Sequence, residues 1–229
     1  MVLSIRCSGS FAAIGTPILT TKLAASTNQE AKVRLHDADA FAGMMRAGQL
    51  AARALDALVP HVKPGVTTDT LDELALEFAL ANDAVPATLF YRGYKNSICT
   101  SINHVVCHGI PGPKPLKEGD IVNIDVTLIV DGWHGDTSRM YGVGEISRRA
   151  ERLIEVTYEC LMRGVAAVKP GASTGKIGAV IQEFAEAERC SVVRDFCGHG
   201  LGRVFHDRPN ILHYGEENEG VVMQPGMFF

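Results

Sequence analysis

No stretch of this 229-residue chain concentrates charge of one sign, and its formal net charge is only −4. A nucleic-acid footprint needs clustered Lys and Arg to replace the counterions on phosphate, so that class of partner is excluded. Long apolar runs are also missing. The run from Ile121 to Val130 is interrupted by Asn123 and Asp125 and falls far short of the roughly 20 residues that span a bilayer. No membrane partner is expected. The six cysteines include no Cys-x-x-Cys pair, which removes the common zinc-clip and thioredoxin-like readings. With no obvious secretory signal, they read as buried or pocket-lining thiols of a reducing compartment. Acidic residues are missing before Glu30. The first 29 residues carry Arg6, Lys22 and many Ser and Thr, the composition of an organellar transit peptide, although two basic residues are few for one. Residues 1–34 are therefore expected to be a disordered lead or a targeting segment, and 35–229 a globular domain. With 46% apolar residues the chain can close one sizeable core or two small ones.

What is present, first of all, is a repeat. Val62-Lys63-Pro64-Gly65 recurs as Val168-Lys169-Pro170-Gly171, and at the same offset Thr68, Glu77, Phe78 and Ala79 fall on Thr174, Glu183, Phe184 and Ala185. Each copy reads as a helix closed by Pro-Gly, a Thr or Ser able to cap, and a second apolar-periodic helix. The first helices begin near Asp39 and after Ser147; the second run over roughly 71–82 and 177–189. Strand-rich sequence follows the first pair, and the Gly226-Met227-Phe228-Phe229 segment aligns with the entry to it at Gly119. A duplicated helix-helix-hairpin unit is an α+β fold in which antiparallel sheet packs under helices.

Residues 121–141 contain two β-prone runs joined by Asp131-Gly132, a strong hairpin signal. A two-residue turn there pairs Val130 with Trp133, Thr127 with Asp136 and Asp125 with Ser138. Since side chains alternate faces, Asp125 and Asp136 share one face, diagonally opposed. Two carboxylates at mid-strand are costly unless they are solvated or hold a cation. Either a water-exposed acidic face or a hard divalent cation between them accounts for the pair. His108 in Cys107-His108-Gly109 and His199 in Gly198-His199-Gly200 sit beside glycines, which would let backbone approach a ligand closely, and His206 closes the segment that His199 opens. His36, His61, His104, His134 and His213 read as ordinary residues.

The segments from Ser101 to Pro111, Asn123 to Thr127, Asp131 to Ser138 and Gly198 to Gly202 resemble those of type I methionine aminopeptidases, members of peptidase family M24, across residues 35–229. The resemblance implies the creatinase-like "pita-bread" fold, with duplicated halves around a curved antiparallel sheet and the second half incomplete. It implies a catalytic domain over 35–229 that hydrolyses the first peptide bond of nascent proteins and releases the N-terminal methionine. Aminopeptidase P and prolidase share the metal pattern but usually add an N-terminal domain, for which some 35 residues leave no room. Asp125 is then a ligand of one metal, Asp136 the bridge between two, and His199 a ligand of the other. His108 and His206 face the scissile bond as catalytic and substrate-binding residues. Tyr91, Tyr94, Cys99 and Phe205 line the methionine pocket. Two divalent ions of Co, Mn, Fe or Zn are implied, and sequence does not choose among them. The implied partners are nascent polypeptide N-termini near the ribosome, met by a monomer in the cytoplasm, or in the mitochondrion if the lead is a transit peptide.

The resemblance also implies two glutamate ligands past Phe229, one a few residues on and one on a following hairpin. The chain as it stands is therefore expected to be truncated, to bind metal poorly and to turn over little substrate. The alternative is an inactive pita-bread module that binds peptide N-termini or a protein partner.

Overall fold

The structure, a computed structural model, describes residues 5–7 and 33–229; the lead-segment expectation falls largely outside them. Four capped helices carry the framework. α1 (Ala38–Leu58) begins where the Asp37 carboxylate accepts from the Ala40 N–H, and α2 (Thr68–Ala81) where Thr67 accepts from the Thr70 N–H. Ser147 and Ser173 do the same for α3 (Arg148–Ala167) and α4 (Thr174–Ala187). Each cap satisfies a first-turn amide that has no partner within its helix. The caps of α2 and α4 are thus the residues just before the Thr68 and Thr174 pair marked by the repeat. Those two threonines are buried instead: Thr68 donates its hydroxyl to the Gly112 carbonyl, and the Thr174 hydroxyl accepts from the Val221 N–H.

The repeat is visible in backbone contacts. Gly65 N–H donates to Leu116 O at 2.9 Å and Leu116 N–H returns to Val66 O at 2.8 Å; Gly171 donates to Met223 O at 2.9 Å and Met223 to Ala172 O at 2.8 Å. Isolated bridges Thr67–Pro115 and Ser173–Val222 adjoin them.

The strands follow the repeat less closely. β1 (Ile5–Cys7) pairs with β6 (Cys190–Val192), and β7 (Gly198–Gly200) with β8 (Asp207–Ile211), each pair antiparallel. In the largest sheet β4 (Ile121–Val130) is central, with β5 (Trp133–Gly142) along one side and β2 (Val85–Pro86) and β3 (Cys99–Ile102) along the other. The described strands therefore form three separate antiparallel sheets rather than one curved sheet shared by equal halves. β7 and β8 are short, and an irregularity between His199 and Gly200 interrupts their ladder, so they do not extend into the larger sheet.

The β4–β5 turn has φ of +50° at Asp131 and +79° at Gly132, the paired left-handed residues of a type I′ turn that matches strand twist. It sets the predicted register, with Val130 opposite Trp133, Thr127 opposite Asp136 and Asp125 opposite Ser138. α1 lies across this hairpin so closely that a Cβ at Gly135 would run into the Ala47 backbone. Leu50, Ala51, Ala54, Leu55 and Leu58 of α1 join Leu71, Val122, Ile124, Val126 and Leu128 in the first core. A second core gathers Val156, Cys160, Ile177, Ile181, Ala185 and Ile211 under α3 and α4. The cavity described next is lined from both sides of this division. No described helix is long and apolar enough to cross a membrane.

Candidate metal centre and substrate pocket

Asp125 and Thr127 on β4, Asp136 on β5 and His199 on β7 all line one cavity of about 1130 Å³. His108, His206, Tyr91, Tyr94, Cys99 and Phe205 line the same cavity, so the nine side chains singled out from sequence face one space. The hairpin supplies the two carboxylates from one sheet face, and β7 brings an imidazole to them from the other half of the chain.

Asp125 and Asp136 differ sharply in environment. One oxygen of Asp125, Oδ1, is fully buried and has no hydrogen-bond partner among the described residues. Burial and the facing Asp136 carboxylate push the Asp125 carboxyl well above the usual carboxylate range. Burial acts to raise Asp136 as well, but hydrogen bonds from His199 and Thr127 outweigh it and hold Asp136 below that range. Nε2 of His199 lies 3.4 Å from Asp136 Oδ2. Burial acts to lower His199, yet its contacts with Asp136 and the Gly200 carbonyl prevail and raise it.

His199 is oriented from behind. Its Nδ1 lies 2.9 Å from the Gly200 carbonyl oxygen; a carbonyl can only accept, so Nδ1 carries the proton and Nε2 faces Asp136. A neutral imidazole would then set a bare lone pair against a carboxylate, an arrangement that needs a proton or a metal cation between them. A ring N–H held by a backbone carbonyl is the usual support behind a metal-ligating histidine. The Asp125 oxygen without a partner among the described residues, two like charges in one buried space and an outward Nε2 are carboxylate and imidazole groups of the kind a divalent ion takes as ligands. Among the described residues, no group of three or more His, Cys, Asp or Glu side chains is placed so that it could hold a metal ion, so Asp125, Asp136 and His199 share the cavity without forming a metal cluster.

The glycines beside the histidines serve backbone packing rather than ligand approach. A Cβ on Gly200 would strike the Arg208 carbonyl of β8, and one on Gly109 the Thr100 carbonyl of β3. They let the loop and β7 lie flat on neighbouring strands, and His108 is then held at φ +55°.

The pocket wall is aromatic. The Tyr91 and Phe205 rings lie 5.0 Å apart, and Phe205 packs on His206 at 4.1 Å. Tyr94 is fixed by donating its hydroxyl to Ile98 O at 2.9 Å. Cys99 faces Asp125 across the β3–β4 ladder, and burial pushes its thiol up to about 11, so it remains a neutral apolar lining group. Sequence reasoning passed over several members. Cys107, Phe196 and Cys197 also line the cavity; their nearness to His108 and His199 was the available signal. His134, taken for an ordinary residue, supports the wall: its Nδ1 meets Gly202 O at 2.9 Å and its ring stacks on Phe205 at 5.6 Å.

The chain belongs to metallopeptidase family M24, whose model matches residues 42–229. Within that family its similarity lies with the methionine aminopeptidases. It is 56% identical over 197 residues to the methionine aminopeptidase of Rickettsia prowazekii, a match covering 86% of this chain and 76% of that protein. To methionine aminopeptidase A of Synechocystis it is 54% identical, over 81% of this chain and 74% of the relative. The crystal structure of the Rickettsia prowazekii methionine aminopeptidase superposes with a TM-score of 0.85 at 55% identity, over 86% of this chain and 79% of that one. The prolidase of Pyrococcus furiosus shares the fold alone, with a TM-score of 0.70 at 20% identity over 84% of this chain and 55% of that one.

Proposed function

We propose that this protein removes the N-terminal methionine from nascent polypeptides by metal-dependent hydrolysis of the first peptide bond. The observation that carries the reading is the single cavity in which Asp125, Asp136 and His199 meet the wall of Tyr91, Cys99 and Phe205. Asp125, Asp136 and His199 would be the ligands this chain offers to the divalent ions. Such ions supply Lewis-acid chemistry, making water nucleophilic at neutral pH and offsetting charge that develops at the peptide carbonyl. The remaining work falls to the chain itself. Tyr91, Tyr94, Cys99 and Phe205 receive the unbranched thioether, whose flexible, polarizable atoms suit an aromatic and thiol wall. That wall excludes water from one side of the scissile bond, and His108 and His206 present ring N–H groups to its carbonyl. Thr127 steadies the charged form of Asp136.

The test is to load the purified chain with Mn²⁺ or Co²⁺ and measure both bound metal per chain and methionine released from Met-Gly-Met-Met peptides. Bound metal with turnover that disappears in Asp136→Ala is the result that supports the proposal, against the expectation drawn from the resemblance that this chain binds metal poorly. A folded chain that binds peptide N-termini but neither holds metal nor releases methionine overturns the proposal in favour of a binding module.

A further inference from the structure

We propose that Tyr91 is a positioning residue that selects the tautomer of His206 and so makes it a hydrogen-bond donor toward the cavity. The Tyr91 hydroxyl lies 3.1 Å from Nδ1 of His206. A neutral imidazole offers one strong acceptor nitrogen and one N–H, and a phenol is a better donor than acceptor. With the hydroxyl donated to Nδ1, the ring proton resides on Nε2. Tyr91 thereby decides what His206 presents to whatever occupies the cavity. Without that contact, neither tautomer is imposed by any other hydrogen bond shown for His206 among the described residues.

The local backbone is built to hold this contact. Tyr91 opens a short 3₁₀ turn, Tyr91–Gly93, and its two neighbours are both in the left-handed region, Phe90 at φ +65° and Arg92 at φ +50°. Non-glycine residues adopt that region at a cost and keep it only where surrounding contacts determine it. Phe90 N–H donates to Tyr94 O at 2.7 Å, and Tyr94 N–H donates back to Tyr91 O at 3.0 Å, locking the turn. The rings complete the clamp: the Tyr91 ring centroid lies 5.3 Å from that of His206 and 5.0 Å from that of Phe205, with the Arg92 guanidinium 5.3 Å from the centre of the Tyr91 ring. Two segments far apart in the chain, 115 residues from Tyr91 to His206, are brought to hydrogen-bonding distance by this arrangement. A strained turn whose hydroxyl meets a histidine in the cavity wall does more than fill apolar volume, since phenylalanine would pack equally well.

The kinetic consequence rests on the aminopeptidase function proposed above; the tautomer assignment does not. The experiment is a long-range ¹H–¹⁵N spectrum of the ¹⁵N-histidine-labelled chain, as purified and with diamagnetic Zn²⁺ added, at a pH where imidazole is neutral. It is recorded for the natural chain, for Tyr91→Phe, and for Tyr94→Phe as a comparison that removes a neighbouring hydroxyl. The expected result is an Nε2–H pattern for His206 that is lost or mixed only in Tyr91→Phe. On Met-Gly-Met-Met peptides, Tyr91→Phe should lower kcat by about threefold to tenfold, the range of one lost hydrogen bond, with KM nearly unchanged. A His206 pattern that is Nδ1–H in the natural chain, or unchanged in Tyr91→Phe, overturns the inference, and so does a kcat that does not move. A natural chain without turnover would sink the aminopeptidase reading, and the spectrum would still decide the tautomer.

Discussion

Lowering the pH should loosen the part of the molecule that carries His199, through a different histidine. His213 follows β8, is 2% exposed, and its Nε2 has no hydrogen-bond partner among the described residues. It sits beneath β7: a Cβ placed on Gly198 would be 3.7 Å from that nitrogen. Burial without a partner disfavours the imidazolium and lowers the pKa from 6.5 to about 4. The unfolded chain therefore takes up this proton at a higher pH than the folded one does. The stabilising difference is fully present above about pH 6.5 and is lost as pH falls through that value toward about 4. A shift of this size corresponds to about 3 kcal/mol, a large fraction of the stability of an ordinary domain. Urea unfolding of the natural chain and of His213→Leu, at about pH 7.5 and about pH 4, isolates the effect from other titrating groups by difference. The natural chain should lose about 3 kcal/mol more than the variant over that interval. Two stability curves that run parallel to within roughly 0.5 kcal/mol would refute the reasoning.

Two further outcomes follow from the packing and from the buried carboxylates. Asp125→Asn removes one of two like charges from a buried space and supplies an amide for the orphaned position, so the metal-free protein should melt at a higher temperature at pH 8 while bound Mn²⁺ per chain falls; a lower melting point would show that the Asp125 charge is not a burden. Gly135→Ala would ordinarily gain a few tenths of a kcal/mol from a stiffer unfolded chain, but the new methyl meets the Ala47 backbone, which cannot turn aside as a side chain can. A net loss of about 1–3 kcal/mol in urea is expected.

The hairpin that carries Asp125 and Asp136 was legible in the sequence. The Asp131-Gly132 turn is a local signal, and once its two residues adopt left-handed φ the strand register follows residue by residue. That is why Asp125 and Asp136 could be placed on one face from spacing alone. The helix pairs were legible for the same reason, because caps and apolar periodicity act within a few residues. Two adjacent hydroxyl residues open each second helix, so the cap itself was expected but its position was not fixed: Thr67 and Ser173 cap, Thr68 and Thr174 go inward, and the helices begin at Thr68 and Thr174 rather than near 71 and 177. The glycines around His199 and His108 were read as room for a ligand and proved to be room for neighbouring strands, since a missing side chain does not say what approaches it.

By itself, the sequence determined the helices, their hydroxyl and carboxylate caps, the β4–β5 register and the sharing of one face by Asp125 and Asp136, because these depend on hydrogen bonds and side-chain alternation over short separations. Only the tertiary structure decided that Nε2 of His199 points at Asp136, that the Tyr91 hydroxyl meets His206, that His134 backs Phe205, and that the described strands divide into three sheets. Those placements join residues far apart in the chain. They depend on how α1, the hairpin and the β7–β8 pair pack, a balance of burial and close backbone approach that local sequence does not carry.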